Sequence, residues 1–451
     1  EIYTLSLHDS LPILVDAGGG GSGGGSGGSG GGSSILILIG YLPPHLFGSM
    51  LRRRLLNNQE LVLLAHILGW SAASAWAVLC LVIFRGGFFG VATAALAFAG
   101  MSSGLFGWFE KLKQSTAVKN QLQRSAAQDA AWSEQQLTEY AKQVFLRYQY
   151  DWSRQDLESM KTYMTERYHR HAALFIRNLQ QLQRANNVEN VSIVEALIVQ
   201  AYDSPNNAED TVVVGFTANA ADKLENLQTQ QNIFTDRSTF TEYWTFRRSG
   251  STWLLDDISQ ATADMAAYNR HLAELAARNN YYYSVDMGWL FIPERGQLFG
   301  KAKFGVSDVN NHVIGLYKES LLVQLYTYSA FEKAKPRVIA QVNVPKTYGN
   351  IVVRRKKGAP HIDKRGLVRV ETEWIQFNQQ YEVYATNTEQ ATSFELLNPT
   401  YMEQLAALPF AVSIEVVDNV IYLYTDERGT DAATYETMLD LAHKAFKEMR
   451  L

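Results

Sequence analysis

Cysteine is nearly absent from this 451-residue chain: Cys80 is the one copy, and it lies in an apolar run. No disulfide can form within the chain, and a cysteine-based zinc site is excluded. Charge of one sign is also missing. With 41 Lys and Arg against 45 Asp and Glu, the formal net charge of -4 implies no global attraction to nucleic acid or acidic lipid. No glycine-rich phosphate loop follows a strand pattern, and neither a Ser-His-Asp nor a Cys-His arrangement has a signature. No cofactor, no metal and no nucleic-acid partner are therefore expected. The opening residues, EIYTLSLHDSLPI, lack the basic start and continuous apolar core of a signal peptide. Residues 1–16 read as an artefactual or truncated N-terminus.

What is present falls into blocks. Residues 17–34 are almost pure Gly and Ser, with no side chains to bury, and read as a flexible coil. Residues 35–60 form a short apolar and basic segment, broken by Pro43-Pro44 and ending in Arg52-Arg53-Arg54. Two uncharged runs follow, 61–84 and 86–109, with only Arg85 between them. Each exceeds the about 20 residues that a membrane span needs, so 61–109 is predicted to be a transmembrane helical hairpin. Gly100 and Gly104 have the spacing that lets helix backbones approach closely in lipid. Basic residues flank both outer ends: Arg52 to Arg54, then Lys111, Lys113, Lys119 and Arg124. The positive-inside rule places both ends, and the soluble domains beyond, in the cytoplasm.

From about residue 115 the pattern becomes that of a soluble protein. Leu137, Tyr140, Ala141, Val144, Phe145, Tyr148 and Trp152 make a helical stripe. A second, polar-rich helix covers about 154–186, broken near Thr165. Strand patterns then follow one another, ending in FTEYWTFRRSGSTWLLDDI at 240–258. Helices followed by consecutive strands indicate an α+β fold, with helices on one face of an antiparallel sheet. Phe240, Glu242, Trp244 and Phe246 share one face of their strand, and Tyr243 lies on the other.

These residues resemble the Tim44-like domain, a member of the NTF2-like cone folds. The resemblance covers 130–262 and is carried by FLRYQYDWSRQDLESMKTYMTERY, NVENVSIVEALIV, VVVGFTANAAD and the Trp-led hairpin at 240–258. It implies a helix-backed curved antiparallel sheet. The glycine-rich tract and membrane segments ahead of it are similar to the layout of bacterial members. The C-terminal part, 282–451, resembles a bacterial domain of unknown function and is expected to be a second α+β domain. The alanine-rich stretch 262–279 is expected to be a linking helix.

Candidate chemistry is sparse. A cone-fold enzyme of the isomerase kind needs a carboxylate base in an apolar cone and an acid opposite it. Asp151, Glu195 or Glu242 could serve as base and Tyr243 or Tyr202 as donor, but no spacing singles out a pair. His169 and His171 point to different helix faces and read as surface histidines. Adjacent Asp256 and Asp257 diverge from a strand. Tyr243, Trp244, Phe246 and Trp253 are the candidate pocket or core wall. Arg354, Arg355, Lys356 and Lys357, with His361, Lys364 and Arg365 soon after, read first as a solvated hairpin loop and, as the functional alternative, as the candidate contact to an anionic surface.

The expected protein is not an enzyme. It is a membrane-anchored tethering or interaction protein of the bacterial inner membrane, associated with protein translocation or membrane-protein assembly. Its expected partners are the lipid bilayer, protein partners at the membrane and anionic phospholipid. Binding of lipid or another hydrophobic ligand in the cone is the alternative, and a cone-fold enzyme the third reading.

Overall fold

A computed structural model describes residues 37–55, 62–105, 108–261, 268–286, 290, 308–329, 337–345, 349–357, 362, 364–386, 396–417, 419–425 and 432–448. The chain divides into two units, Glu1–Arg124 and Ser125–Leu451. The tract at 17–34 and the terminus at 1–16 lie outside the described residues, as does His361.

The first unit is helical. A π-helical turn, Ile37–Tyr41, leads into α1, Leu42–Leu55. Pro43 and Pro44 do not break the segment as the sequence suggested. They fall in the first turn of α1, where backbone N–H groups have no intrahelical acceptor and a missing one is harmless. Helices α2, Val62–Ile83, and α3, Phe88–Leu105, form the expected hairpin. Arg85 and Gly86 both take positive φ at its tip, and the Gly86 amide donates to the Leu81 carbonyl at 2.8 Å.

Small residues fill the seam of this unit. Ala73, Ala77, Thr93, Ala97 and Met101 are buried. Thr93 donates its hydroxyl to the Phe89 carbonyl, one turn back on its own helix, at 2.8 Å. The close approach at Gly100 is not to α2 but to the backbone of Tyr41, and a side chain there would collide with the Tyr41 carbonyl. Gly40 answers it, since a Cβ at that position would stand 2.8 Å from the Thr93 carbonyl. Trp76 ties α2 to the same turn by donating to the Ile39 carbonyl at 2.9 Å. Packing around Gly104 lies outside the described residues.

Among the described residues, no helix is long and apolar enough to cross a membrane. The two expected spans are therefore not seen as such.

The second unit holds two sheets. Helix α4, Trp108–Gln128, brings the chain to α5, Glu134–Ser153, α6, Leu157–Lys161, and α7, Glu166–Gln181. The break near Thr165 is a helix start, for its side chain accepts the Tyr168 amide as an N-cap. The helix ends at Gln181 rather than near 186, because Gln183 takes positive φ and the strand has begun by Arg184. Strands β1, Arg184–Tyr202, β2, Thr211–Asn226, β3, Asn232–Asp236, β4, Thr239–Ser249, and β5, Thr252–Gln260, form one antiparallel sheet in the order β1-β2-β4-β5, with β3 paired to β2. Three register shifts in the β1–β2 pairing bend the long strand and give the sheet its curve. Leu137, Ala141, Val144 and Phe145 of α5 are buried.

Helix α8, Arg270–Arg278, is shorter than the expected link, and residues 262–267 lie outside the described residues. It is not a free linker either. Leu272, Leu275 and Ala276 are buried in the core of the second sheet. That sheet comprises β6, Tyr282–Asp286, β7, Asp308–Tyr317, β8, Leu321–Ser329, β9, Arg337–Asn343, β10, Ile351–Arg355, β11, Val368–Val370, β12, Tyr381–Ala385, β13, Val412–Val417, and β14, Val420–Thr425. Its order is β11-β12-β10-β13-β14-β9-β8-β7-β6, antiparallel throughout. Helix α9, Ile375–Gln380, lies between β11 and β12, and α10, Pro399–Ala407, and α11, Ala432–Glu448, supply apolar side chains to the core.

Helix α7 joins the sheets. Leu174 clusters with Ile314 and Leu322. The Asn178 side-chain carbonyl accepts from Gln324 at 3.0 Å and from Asn343 at 2.5 Å. Asn419 donates to the Gln181 carbonyl at 2.7 Å, and Arg184 to the Leu290 carbonyl at 2.9 Å. These bonds cross the seam and tie the two halves together, although the buried Asn178 Nδ2 has no hydrogen-bond partner among the described residues.

Candidate functional site

The stretch 240–258 becomes β4, a tight turn at Gly250 with φ +62, and β5. Trp244 is fully buried. Its ring packs against Phe145 at 5.0 Å, Tyr148 at 5.2 Å and Phe216 at 5.6 Å between centroids. Phe246 and Trp253 are buried too: Phe246 meets Tyr140, and Trp253 stands edge-on to Trp132 at 5.0 Å. These three residues are core between helix and sheet. Tyr243 is half-buried on the opposite face, over Gly215 of the neighbouring strand.

The two arginines that end β4 are structural ties. Arg248, buried, pairs with Asp210 at 3.2 Å and with Asp129. Arg247 and Arg167 both meet Asp256, at 3.3 and 3.5 Å, and Thr165 donates to the same carboxylate at 2.7 Å. The motif thus closes the fold by bringing the start of α5, the loop before β2 and the start of α7 onto one hairpin.

Of the three carboxylates nominated as bases, Asp151 is committed elsewhere. Asp151 accepts from Ser159 at 2.6 Å and Tyr163 at 3.1 Å, and pairs with Arg147 at 3.4 Å. Glu195 lies on β1, half-exposed, and Tyr202 is exposed at the same strand's end. Glu242 is the one enclosed by aromatic groups. Burial pushes its carboxyl up from the ordinary range. Trp244 and Gln260 donate to it at 2.9 and 2.6 Å, which opposes that push. The Tyr148 hydroxyl, pushed above its usual range by burial, is hydrogen-bonded to Tyr168 and feels the Glu242 charge. Glu242 is thus a half-buried carboxylate near two phenols, with one oxygen held by Trp244 and the other by Gln260. The sequence did not single out Tyr148 or Tyr168 as neighbours of Glu242, because they come from two helices whose spacing to β4 is set only by folding.

His171 corrects the surface expectation. Its ring stacks on Tyr282 at 3.2 Å between centroids, with Phe175 edge-on at 4.2 Å. Burial holds its pKa well below the ordinary value. His169 points elsewhere, to the Leu157 carbonyl at 2.9 Å. Tyr282 donates to Asp257, so this cluster also crosses from the first sheet to the second.

The four basic residues at the end of β10 separate into two kinds. Arg354 pairs with Glu382 at 3.1 Å, and the Arg355 guanidinium lies 4.9 Å over the Tyr381 ring. Lys356 and Lys357 are exposed, and Lys356 donates to the Asn378 carbonyl at 2.6 Å. An open depression of about 430 Å³ on α5 is lined by Glu134, Gln135, Thr138, Glu139 and Lys142. Among the described residues, no group of three or more His, Cys, Asp or Glu could hold a metal ion.

The second unit is thus a helix-backed curved sheet with an aromatic core, packed through α7 against a second antiparallel sheet. Residues 118–260 match the Tim44-like domain, and residues 338–442 match a protein of unknown function, DUF3137. The chain carries both domains in that order. No curated protein matches it. Among solved structures, it is similar to the mycobacterial trehalose monomycolate transport factor A, TtfA. That likeness has 15% identity and a TM-score of 0.32, over 40% of this chain and 93% of that one. It is also similar to the intermembrane space region of the chloroplast protein ARC6, at 16% identity and a TM-score of 0.23, over 27% of this chain and 95% of that one. At these scores neither likeness carries an argument.

Proposed function

We propose that this protein is a membrane-anchored interaction protein that holds a rigid two-domain body at a bilayer surface. Its role is to tether a partner in protein translocation or membrane-protein assembly. The observation that carries the reading is the inverted packing of the first unit. Small side chains fill the seam between its helices, while Ile67, Leu68, Val78, Val82, Phe88, Phe89 and Phe98 face outward. Val82 is 69% exposed and Phe88 81%. Large apolar side chains outside and alanine inside suit hydrocarbon as solvent, where helices associate through close packing and not through the hydrophobic effect. Arg52 to Arg54 and Lys111, Lys113 and Lys119 flank the hairpin and favour a cytoplasmic orientation. A bacterial inner membrane is the setting this implies.

The Tim44-like domain, whose aromatic interior is filled, supports binding through the outer surface over ligand capture in the cone. The same filling, with Glu242 held by two donors, favours a non-enzymatic role. Washing membranes at alkaline pH tests the anchor. The full chain should stay in the pellet and a chain lacking 62–105 should be released; extraction of the full chain would sink the reading.

A further inference from the structure

One corner of the second sheet brings exposed apolar groups beside exposed cations. Ile375, at the start of α9, is 70% exposed, the most of any large apolar side chain described in the second unit. Trp374 beside it is half-buried, stacked on Phe377, and Val368 on the edge strand β11 is exposed. Lys356 is fixed against this helix twice: its backbone amide donates to the Gln380 carbonyl at 2.9 Å, and its ammonium to the Asn378 carbonyl at 2.6 Å. Lys357 is exposed next to it. Lys364 lies over the Tyr384 ring at 4.9 Å on the strand that β11 pairs with. Among the described residues, the anionic groups at this corner are Glu371, paired with Arg369 at 3.5 Å, Glu382, paired with Arg354, and Glu373, exposed.

We infer that this corner, with Ile375 and Trp374 as apolar anchors and Lys356 and Lys357 as the charges beside them, seats the C-terminal domain on an anionic lipid surface. A half-buried tryptophan next to an exposed isoleucine suits the boundary between headgroups and acyl chains, where an apolar body can sink and a polar edge stays wet. Lysines flanking such a wedge keep their charge at the headgroup level and gain from an anionic leaflet. The charge pattern commits the surface to lipid rather than to an acidic protein, because a wedge of this kind needs a fluid apolar layer to enter. Arg354 and Arg355 are not needed: the first is paired, and the second lies on a tyrosine. The inference draws on the anchoring proposed above only for proximity to a bilayer.

The test uses the full chain in lipid nanodiscs, with a nitroxide on Ile375→Cys in a Cys80→Ala background. Collisions with oxygen, which partitions into lipid, are compared with those of a water-soluble nickel complex. The ratio should rise several-fold in discs containing phosphatidylglycerol relative to pure phosphatidylcholine discs. It should fall back at high salt and in the Lys356→Gln, Lys357→Gln variant. A label that stays fully in water in anionic discs overturns the inference, as does immersion that ignores both salt and the two lysines. A second label on Val82→Cys reads the hairpin in the same discs and should be immersed in both lipids. The anchor and the corner can therefore fail separately.

Discussion

The two units use the same kinds of apolar side chain in opposite places. In the hairpin, Ala73, Ala77 and Ala97 are inside while Val78, Val82 and Phe88 are outside. In the body, Trp132, Phe145, Phe216 and Trp244 are inside. Water rewards burial of large apolar surface, whereas hydrocarbon does not distinguish a leucine from a lipid tail. Under the proposed anchoring, the contrast is that of two units packed for different solvents.

Trp244→Ala attacks the body where the contrast is strongest. Removing an indole packed against three aromatic rings should cost about 3–5 kcal/mol and unfold or strongly destabilise the domain in a urea melt. An unchanged transition would mean the ring lines open space. Arg248→Met should be of similar size, about 3–5 kcal/mol, because it leaves the fully buried Asp210 without its cation. Calorimetry would show both as a lowered melting temperature of the second unit.

Much of this contrast was legible from the residues. The uncharged runs gave the hairpin, and the helical stripe with the Trp-led hairpin gave the helix-backed sheet. Neither reading needed long-range knowledge, because each rests on local periodicity. The role of Arg247 and Arg248 was not legible, since their partners Asp256, Asp210 and Asp129 come from separate turns of the chain. His171 likewise looked like a surface residue because its neighbours, Phe175 and Tyr282, include one from a strand more than a hundred residues on. The four-residue basic cluster looked uniform in sequence. Strand alternation sends Arg354 to Glu382, and the register sets Arg355 beside Tyr381, so two of the four are occupied.

A milder break lies at the joint inside the body. Asn343→Ala removes two donations, to Asn178 and Gln181, and should cost about 1–3 kcal/mol by stranding buried amide groups. Hydrogen exchange should show faster opening of α7 and β9 with α9, which packs on β12 at the other side of the sheet, unchanged; uniform exchange would mean the seam has no independent weight.

Acid should act on the same joint. His312 is buried beside Gln324, and its pKa is lowered to about 4 by burial. The unfolded chain takes up this proton near 6.5, the folded one near 4, so its contribution to stability falls as pH drops from about 6.5 towards 4. Asp222 opposes this. Burial raises its pKa to about 6, so its favourable contribution is complete below its ordinary value of 3.8 and is lost as pH rises through 6. His312→Gln should flatten the acid-side decline in denaturation midpoints, and Asp222→Asn should steepen it. The same slope in both variants would place the acid response elsewhere.

The smallest effect is expected on the outside of the hairpin, where Val82→Ala should leave the body's melting temperature within experimental error. The most direct measurement of the opposed packing is labelling of the reconstituted protein with a lipid-phase diazirine reagent, mapped by mass spectrometry. The account predicts adducts on Val78, Val82, Phe88 and Phe89 and none on Phe145, Phe216 or Trp244. A hairpin that stays unlabelled, or is modified instead by a water-soluble carbene source at Val82 and Phe88, would contradict it.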